Sequence, residues 1–361
     1  MIGYMAAGVA LYLAALCENF GLITRTFARL VAYYVVGATY VLSFLRWNTG
    51  TDWDTYVQMF DMLQSFADAA DQNWWGPGYA YIAVLANKNN LGYTFFLWCV
   101  ATILLFGKVL LLSRAERPLI AVFVLFCLNF NDLFFVRQHV AAIFLALSII
   151  YLFDKRYIIT AIFVVAFIAF HATALPVFLI ALAIHFRNSM SRAYFYGMSG
   201  VVVGLVLLGS NFNFVFEIYG AYLTGDYVED SKENSLVRMV AKYLFWLLIF
   251  GFHYVSYRRR KEVYAWRPKE REFFKVVIFA LLISFFGLTF SEIFSRYALY
   301  LYPLMALLFS SKSFTGRFAV RRTTAFSFLA QAGFFGLLLV NLWFALSAYR
   351  AEYVPYKFVN F

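Results

Sequence analysis

Long apolar segments, many of about 20 residues, recur along almost the whole chain, and this limits the fold more than any motif does. A helix rises about 1.5 Å per residue, so about 20 apolar residues cover the roughly 30 Å hydrocarbon core of a bilayer. Inside that core each backbone N–H and C=O needs an internal partner, which leaves helices or a closed barrel. The alternating polar strands of a barrel are missing from the sequence. The pattern predicts an all-α polytopic membrane protein with about twelve transmembrane helices, at 2–21, 30–45, 91–112, 118–134, 136–153, 157–172, 174–186, 193–211, 237–256, 273–291, 296–311 and 325–346. The apolar N-terminus lacks the basic start and small-residue cleavage site of a signal peptide, so it reads as a retained helix. With 63% hydrophobic and 14% charged residues, the chain departs from the roughly 25% charge of soluble domains. It reads as a single integral membrane domain over 1–361.

The net charge of +11 is explained by where the charges lie. Arg25, Arg29, Lys108, Arg114, Arg117, Lys155, Arg156, Arg187, Arg192, Lys275, the basic loop 257–272 and the stretch Lys312 to Arg322 fall at one end of the expected helices. They make up 21 of the 30 basic residues, which assigns that end to the cytoplasm and both termini to the outside. The excess charge then faces anionic lipid, and no nucleic-acid partner is expected. Cys17, Cys99 and Cys127 sit in apolar segments with no CxxC spacing, and the four histidines form no cluster, so neither a disulfide framework nor a transition-metal site is expected.

Two longer segments fall on the opposite, outer face: 46–90 and the acidic 212–236. The piece after Pro77 is too short to span and reads as a short re-entrant or interfacial helix. Polar residues also gather at the outer helix ends, although a buried arginine costs a membrane helix about 2.5–3.5 kcal/mol on insertion scales. Arg46 ends the second span, Arg137 and His139 open the fifth and His171 ends the sixth. Arg238 and Lys242 open the ninth, and Glu292 and Arg296 flank the turn before the eleventh. Each has a plainer reading. An interfacial arginine snorkels to headgroups, Glu292 and Arg296 pair at i,i+4, and His171 is a hydrogen-bonded packing residue. His185 and His253, toward the other face, read as structural. Several cations at one level repel unless anions join them. Asp52, Asp54 and Glu292 supply part of that charge, and a phosphorylated ligand suits the rest because guanidinium binds phosphate in bidentate fashion.

Five stretches, in order, resemble the EpsG/Wzy-like family of bacterial polysaccharide polymerases: RWNTGTDWDTY (46–56), WWGPGYAYI (74–82), VRQHVAAIFLAL (136–147), AFHATAL (169–175) and FSRYALYLYPL (294–304). The resemblance covers about 30 to about 310, and VPYKF (354–358) resembles the family's C-terminal end. Two positions depart from the family pattern: Gly76 stands where a Glu is common before Pro-Gly, and His139 where a small residue is usual.

The resemblance implies a GT-C-like glycosyltransferase fold. It also implies a metal-independent enzyme without cofactor, acting on the periplasmic or outer face of the bacterial inner membrane. Such an enzyme moves a growing glycan from undecaprenyl pyrophosphate to a lipid-linked repeat unit. Membrane lipids and a chain-length regulator are the further expected partners. In that chemistry, arginines placed at the leaving pyrophosphate stabilise the growing charge. Arg137 and Arg296 are the leading candidates, with Arg46 and Arg238 behind them. His171 is the candidate general base and Asp52 its rival. Trp53, Asp54, Tyr56, Trp74, Trp75, Gln138, Glu292 and Tyr300 are candidates for sugar or lipid contacts. Ala172 and Ala174 beside His171 are expected to leave room for a sugar. A ligase using the same donor is the first alternative. A transporter of lipid-linked oligosaccharide should carry cations through the depth of its helices. A structural partner in an export complex would leave the outer cations without a role.

Overall fold

The structure, a computed structural model, describes residues 2–49, 53–71, 76–130, 136–187, 246, 268–287, 297–311 and 324–348. Among these, the regular elements are helical and none is a strand. In chain order they are α1 (Ile2–Asn19), α2 (Arg25–Leu45), α3 (Trp53–Met62), α4 (Phe66–Asp71), α5 (Pro77–Lys88), α6 (Gly92–Ser113), α7 (Pro118–Leu128), α8 (Val136–Phe153), α9 (Tyr157–His171), a 3-10 turn (Ala172–Ala174) and α10 (Leu175–Arg187). They continue as α11 (Pro268–Gly287), α12 (Tyr297–Ser310) and α13 (Thr324–Ala348). The expected spans at 193–211 and 237–256 lie outside the described residues, apart from Trp246.

Four segments among the described residues are long and apolar enough to cross a membrane: Ile2–Asn19, Arg25–Leu45, Gly92–Ser113 and the run Tyr157–Arg187. The chain is a membrane protein. Several expected boundaries shift. The second span starts at Arg25 rather than at 30, because the Thr24 hydroxyl accepts the Phe27 N–H and caps the first turn. Residues 268–272, expected in a basic loop, form the first turn of α11. The expected span 118–134 begins with an α-helix that stops at Leu128 and is too short, at 11 residues, to cross a bilayer by itself.

Burial explains why α7 is apolar on every side. It packs against α1, α2, α6, α12 and α13, so it has almost no face left for lipid or water. Its N-terminal N–H groups, which have no intrahelical acceptor, are capped from α1: Glu18 Oε2 accepts from Leu119 N (2.9 Å) and Ile120 N (3.1 Å). Arg117 donates to Asn19 Oδ1 at 2.8 Å beside this cap.

The run 157–187 folds back on itself. His171 leaves helical geometry (φ −162, ψ 99), the 3-10 turn follows, and α10 returns. The return is visible at the far end, where the Tyr157 hydroxyl lies 3.3 Å from His185 Nε2. α8 packs against both α9 and α10. Where the sequence predicts two spans at 157–172 and 174–186, the run is thus a pair of antiparallel helices rather than one long helix.

The segment 46–90 folds into α3, α4 and α5. α4 opens on a capping box: Asp68 N donates to Ser65 Oγ at 3.1 Å, and Ser65 N donates to Asp68 Oδ2 at 2.7 Å. The Ser65 hydroxyl and amide hold the Asp68 carboxyl below its ordinary value, so this acid has a local structural job. α5 is the expected short helix. It buries Tyr79, Ala80, Ala83, Val84 and Ala86 and leaves Tyr81 and Leu85 exposed. Its entry is tight. Gly76 has φ +83, and a Cβ there would come within 2.6 Å of the Phe170 carbonyl oxygen and 2.8 Å of that of Ala169. α5 therefore starts with its backbone against the last turn of α9. A glutamate at position 76 would need this backbone contact to open.

Candidate active site

Arg46, Tyr56, Tyr79, Tyr93, Arg137, His171 and Tyr300 collect at one end of the bundle. The helices dictate this. Arg46 caps the C-terminus of α2, Tyr93 lies in the first turn of α6, Arg137 in the first turn of α8, and His171 at the end of α9. α2 and α9 end at this level and α6 and α8 start there, so these termini meet. Their other ends carry Arg25, Arg114, Asp154 and Arg156.

Arg137 is 7% exposed. Its guanidinium carbon sits 5.6 Å from the centre of the Tyr56 ring and 5.9 Å from that of Tyr79, and Nε donates to the Tyr56 hydroxyl at 3.4 Å. Tyr56 comes from α3 and Tyr79 from α5, with ring centres 5.8 Å apart. The two short outer helices thus wrap the arginine in aromatic faces. A desolvated cation over such faces gains about 0.5–2 kcal/mol, which offsets part of its burial cost. Arg46 is 1% exposed and lies 5.6 Å from the Trp53 ring centre. Trp53 in turn meets Tyr93 edge-on at 5.1 Å. Tyr79 and Tyr93 both pack on Phe96, with ring centres 4.7 and 5.6 Å away, so the two guanidiniums share one neighbourhood.

His171 is buried on the other flank of α5. Its Nδ1 lies 2.8 Å from Thr173 Oγ1, which lies 2.5 Å from the Tyr300 hydroxyl of α12. The His171 and Tyr300 rings meet edge-on at 6.2 Å. α8, which carries Arg137, packs against the same 3-10 turn. The backbone contact of Gly76 and Gly78 with Ala169 and Phe170 places the start of α5 directly before His171 in the packing. Chemically, this end of the bundle offers two buried guanidiniums suited to an anion and a histidine whose one ring nitrogen is already engaged by a hydroxyl.

The structure brings Arg46, Arg137, Trp53, Tyr56, His171 and Tyr300 of the expected set into this one region. Gln138, next to Arg137, is half-buried, and Asp54 is exposed on α3. Tyr300 is fully buried with its hydroxyl on Thr173, and Ala174 is buried as well, so the room for a sugar expected at Ala174 is filled by protein. His139 is fully buried in α8. Asp52, Trp74, Trp75, Arg238, Lys242, Glu292 and Arg296 lie outside the described residues. Sequence reasoning missed Tyr79, Tyr93 and Thr173. Tyr79 was marked only by its place just after the Gly-Pro-Gly turn, and Thr173 only as a hydroxyl two residues from His171 in an apolar run.

A search of curated proteins and a search of solved structures each found no match. The model of the EpsG family matches residues 29–358, a stretch that includes every residue of the site described above. The chain belongs to the EpsG family.

Proposed function

We propose that this membrane protein is a polysaccharide polymerase. It transfers a growing glycan from undecaprenyl pyrophosphate to a lipid-linked repeat unit, on the periplasmic or outer face of the bacterial cytoplasmic membrane. Family membership supports the polymerase class. The observation that carries the site is Arg137, a guanidinium 7% exposed and held over Tyr56 and Tyr79 at the end of the bundle that also holds His171. In this reading the acceptor hydroxyl attacks the anomeric carbon of the donor glycan. The new C–O bond forms as the bond to the pyrophosphate oxygen breaks, and the acceptor proton passes to His171 Nε2. Undecaprenyl pyrophosphate leaves with the electron pair. Arg137 and Arg46, with Arg296 and Arg238, meet the negative charge that grows on it. Fixed guanidiniums cost little reorganisation as that charge develops, which is the source of their effect. Asp52 is the alternative base. Trp53, Trp74, Trp75, Asp54, Tyr56, Gln138 and Glu292 are assigned to sugar or lipid contacts. The fold is read as GT-C-like, with both termini outside and a chain-length regulator as a further partner. A ligase using the same donor shares every one of these steps except the acceptor.

The test uses purified protein and a lipid-pyrophosphate-linked repeat unit, with polymer length as readout. Arg137→Ala is expected to lose about 10²–10³-fold in rate while folded protein remains in the membrane. Arg137→Lys should recover little, because lysine lacks the planar fork. Because charge stabilisation is assigned to arginines, activity should survive EDTA. Full polymerisation by Arg137→Ala would overturn the phosphate role. Activity lost to EDTA and restored by magnesium or manganese would move that role to a metal held by acidic residues.

A further inference from the structure

Thr173 has no part in the mechanism above, yet its hydroxyl lies within hydrogen-bond distance of His171 Nδ1. It is 5% exposed and Tyr300 is 0% exposed, so the chain His171 Nδ1, Thr173 Oγ1, Tyr300 hydroxyl is sealed from solvent. The distances are 2.8 and 2.5 Å. The break of the helix at His171 (φ −162, ψ 99) turns the ring toward a residue only two positions on, and α12 supplies the second hydroxyl from far along the chain. A hydroxyl carries one proton. Thr173 can therefore donate to only one of its neighbours, while its two lone pairs can accept from either or both.

Two directions are open. If Thr173 donates to His171 Nδ1, the neutral ring carries its proton on Nε2 and Nε2 has no lone pair to offer. If Thr173 Oγ1 instead accepts the Nδ1–H of His171, whether its own proton goes to the Tyr300 oxygen or elsewhere, Nε2 keeps its lone pair. Once His171 takes a second proton, both nitrogens carry hydrogen and only the second direction is possible. A histidine that gains and loses a proton in each turnover is served by the arrangement that fits both states. We infer that Thr173 and Tyr300 are positioning residues that hold His171 in the Nδ1-protonated tautomer, leaving Nε2 to receive the acceptor proton. This inference rests on the assignment of His171 as the base. It gives Tyr300 a supporting task inside the protein instead of a contact with sugar.

The experiment is a kinetic series on the full-length purified protein, with kcat and KM for the lipid-linked repeat unit and a thermal midpoint for each variant. Thr173→Val keeps the shape and removes the hydroxyl. It should lower kcat about 10- to 100-fold with KM little changed, as misplacing a reacting group does. Thr173→Ser should recover most of that loss, and Tyr300→Phe should fall between the two. In the His171→Ala background, Thr173→Val should cost nothing further, because it acts only through the ring. Tyr300→Phe keeps the ring packing, so it decides the matter if Thr173→Val does not fold. Wild-type kcat in Thr173→Val or Tyr300→Phe, with His171→Ala inactive, would overturn the positioning role and leave the base in place. So would an extra loss from Thr173→Val in the His171→Ala protein. A fully active His171→Ala would overturn the base assignment itself.

Discussion

The two ends of the helix bundle hold the same kinds of residue in opposite settings. At one end Arg114, with its side chain 36% exposed, reaches Asp154 at 3.3 Å, and Lys269 contacts the same carboxylate. Arg271 and Lys275 flank Glu272 in the same way, and the half-buried His185 rests against Tyr157. At the other end Arg46 and Arg137 are buried among tyrosine and tryptophan rings, and His171 is buried on a threonine. The Asp154 and Glu272 side chains are only 10% and 9% exposed, but their cations reach solvent, and ion pairs open to water are worth about 0–1 kcal/mol because water and salt already satisfy the charges. Buried guanidiniums carry a solvation cost that a chain bears only where the charge is used or firmly held. The comparison separates charge left open to water from charge held inside the bundle, and it does so with residue types that look alike in the sequence.

The largest effect should come from exchanging histidines across the two ends. His171→Ala should reduce polymerisation by about 10²–10⁴-fold, the range of a positioned base, while His185→Ala should change it less than about threefold. Rates measured on equal amounts of folded protein check this. Equal losses at both positions would erase the distinction between the ends. His171→Gln sharpens it, because glutamine keeps a hydrogen bond and cannot take the proton. If that variant works normally and Asp52→Asn does not, the base is Asp52.

Next is the backbone seam that joins α5 to α9. Gly76→Ala forces a Cβ against the Phe170 carbonyl oxygen and a side chain onto φ +83. Strained conformations of this kind cost about 1–3 kcal/mol, before the clash is counted. The expected result is a lower thermal midpoint together with reduced activity, since α5 carries Tyr79. An unchanged midpoint would mean that the seam does not hold the site.

The smallest effect belongs to the far end. Asp154→Asn removes the partner of Arg114 and Lys269, and its cost should stay within about 1 kcal/mol, with polymer length unchanged. A thermal shift measured at low and at high salt checks it, because exposed pairs weaken as salt rises. A large loss of activity would show that the two ends are coupled.

Much of this organisation is legible in the residues. Basic residues at helix ends predict which termini lie together, and the structure puts Arg46, Arg137 and His171 at one end and Arg114, Arg156 and His185 at the other. The turn at His171 is legible as a polar residue between two short apolar stretches. What was not legible is which neighbours a polar residue meets. Tyr300 reads as an aromatic platform in an apolar run, yet its hydroxyl lies on Thr173, 127 positions away in sequence. The α7 segment reads as a membrane span, yet its helix ends at Leu128 within a shell of five other helices.

Hydropathy and charge placement are sums over stretches of chain, so the sequence by itself determined the helical class, the membrane setting and the two opposed faces. Contacts such as Gly76 on the Phe170 carbonyl, Tyr79 under Arg137 and Thr173 between His171 and Tyr300 depend on how distant helices pack. Only the tertiary structure decided them. The helical period fixes which way a side chain leaves its own helix, but the partner it meets is set by the close packing of all its neighbours together.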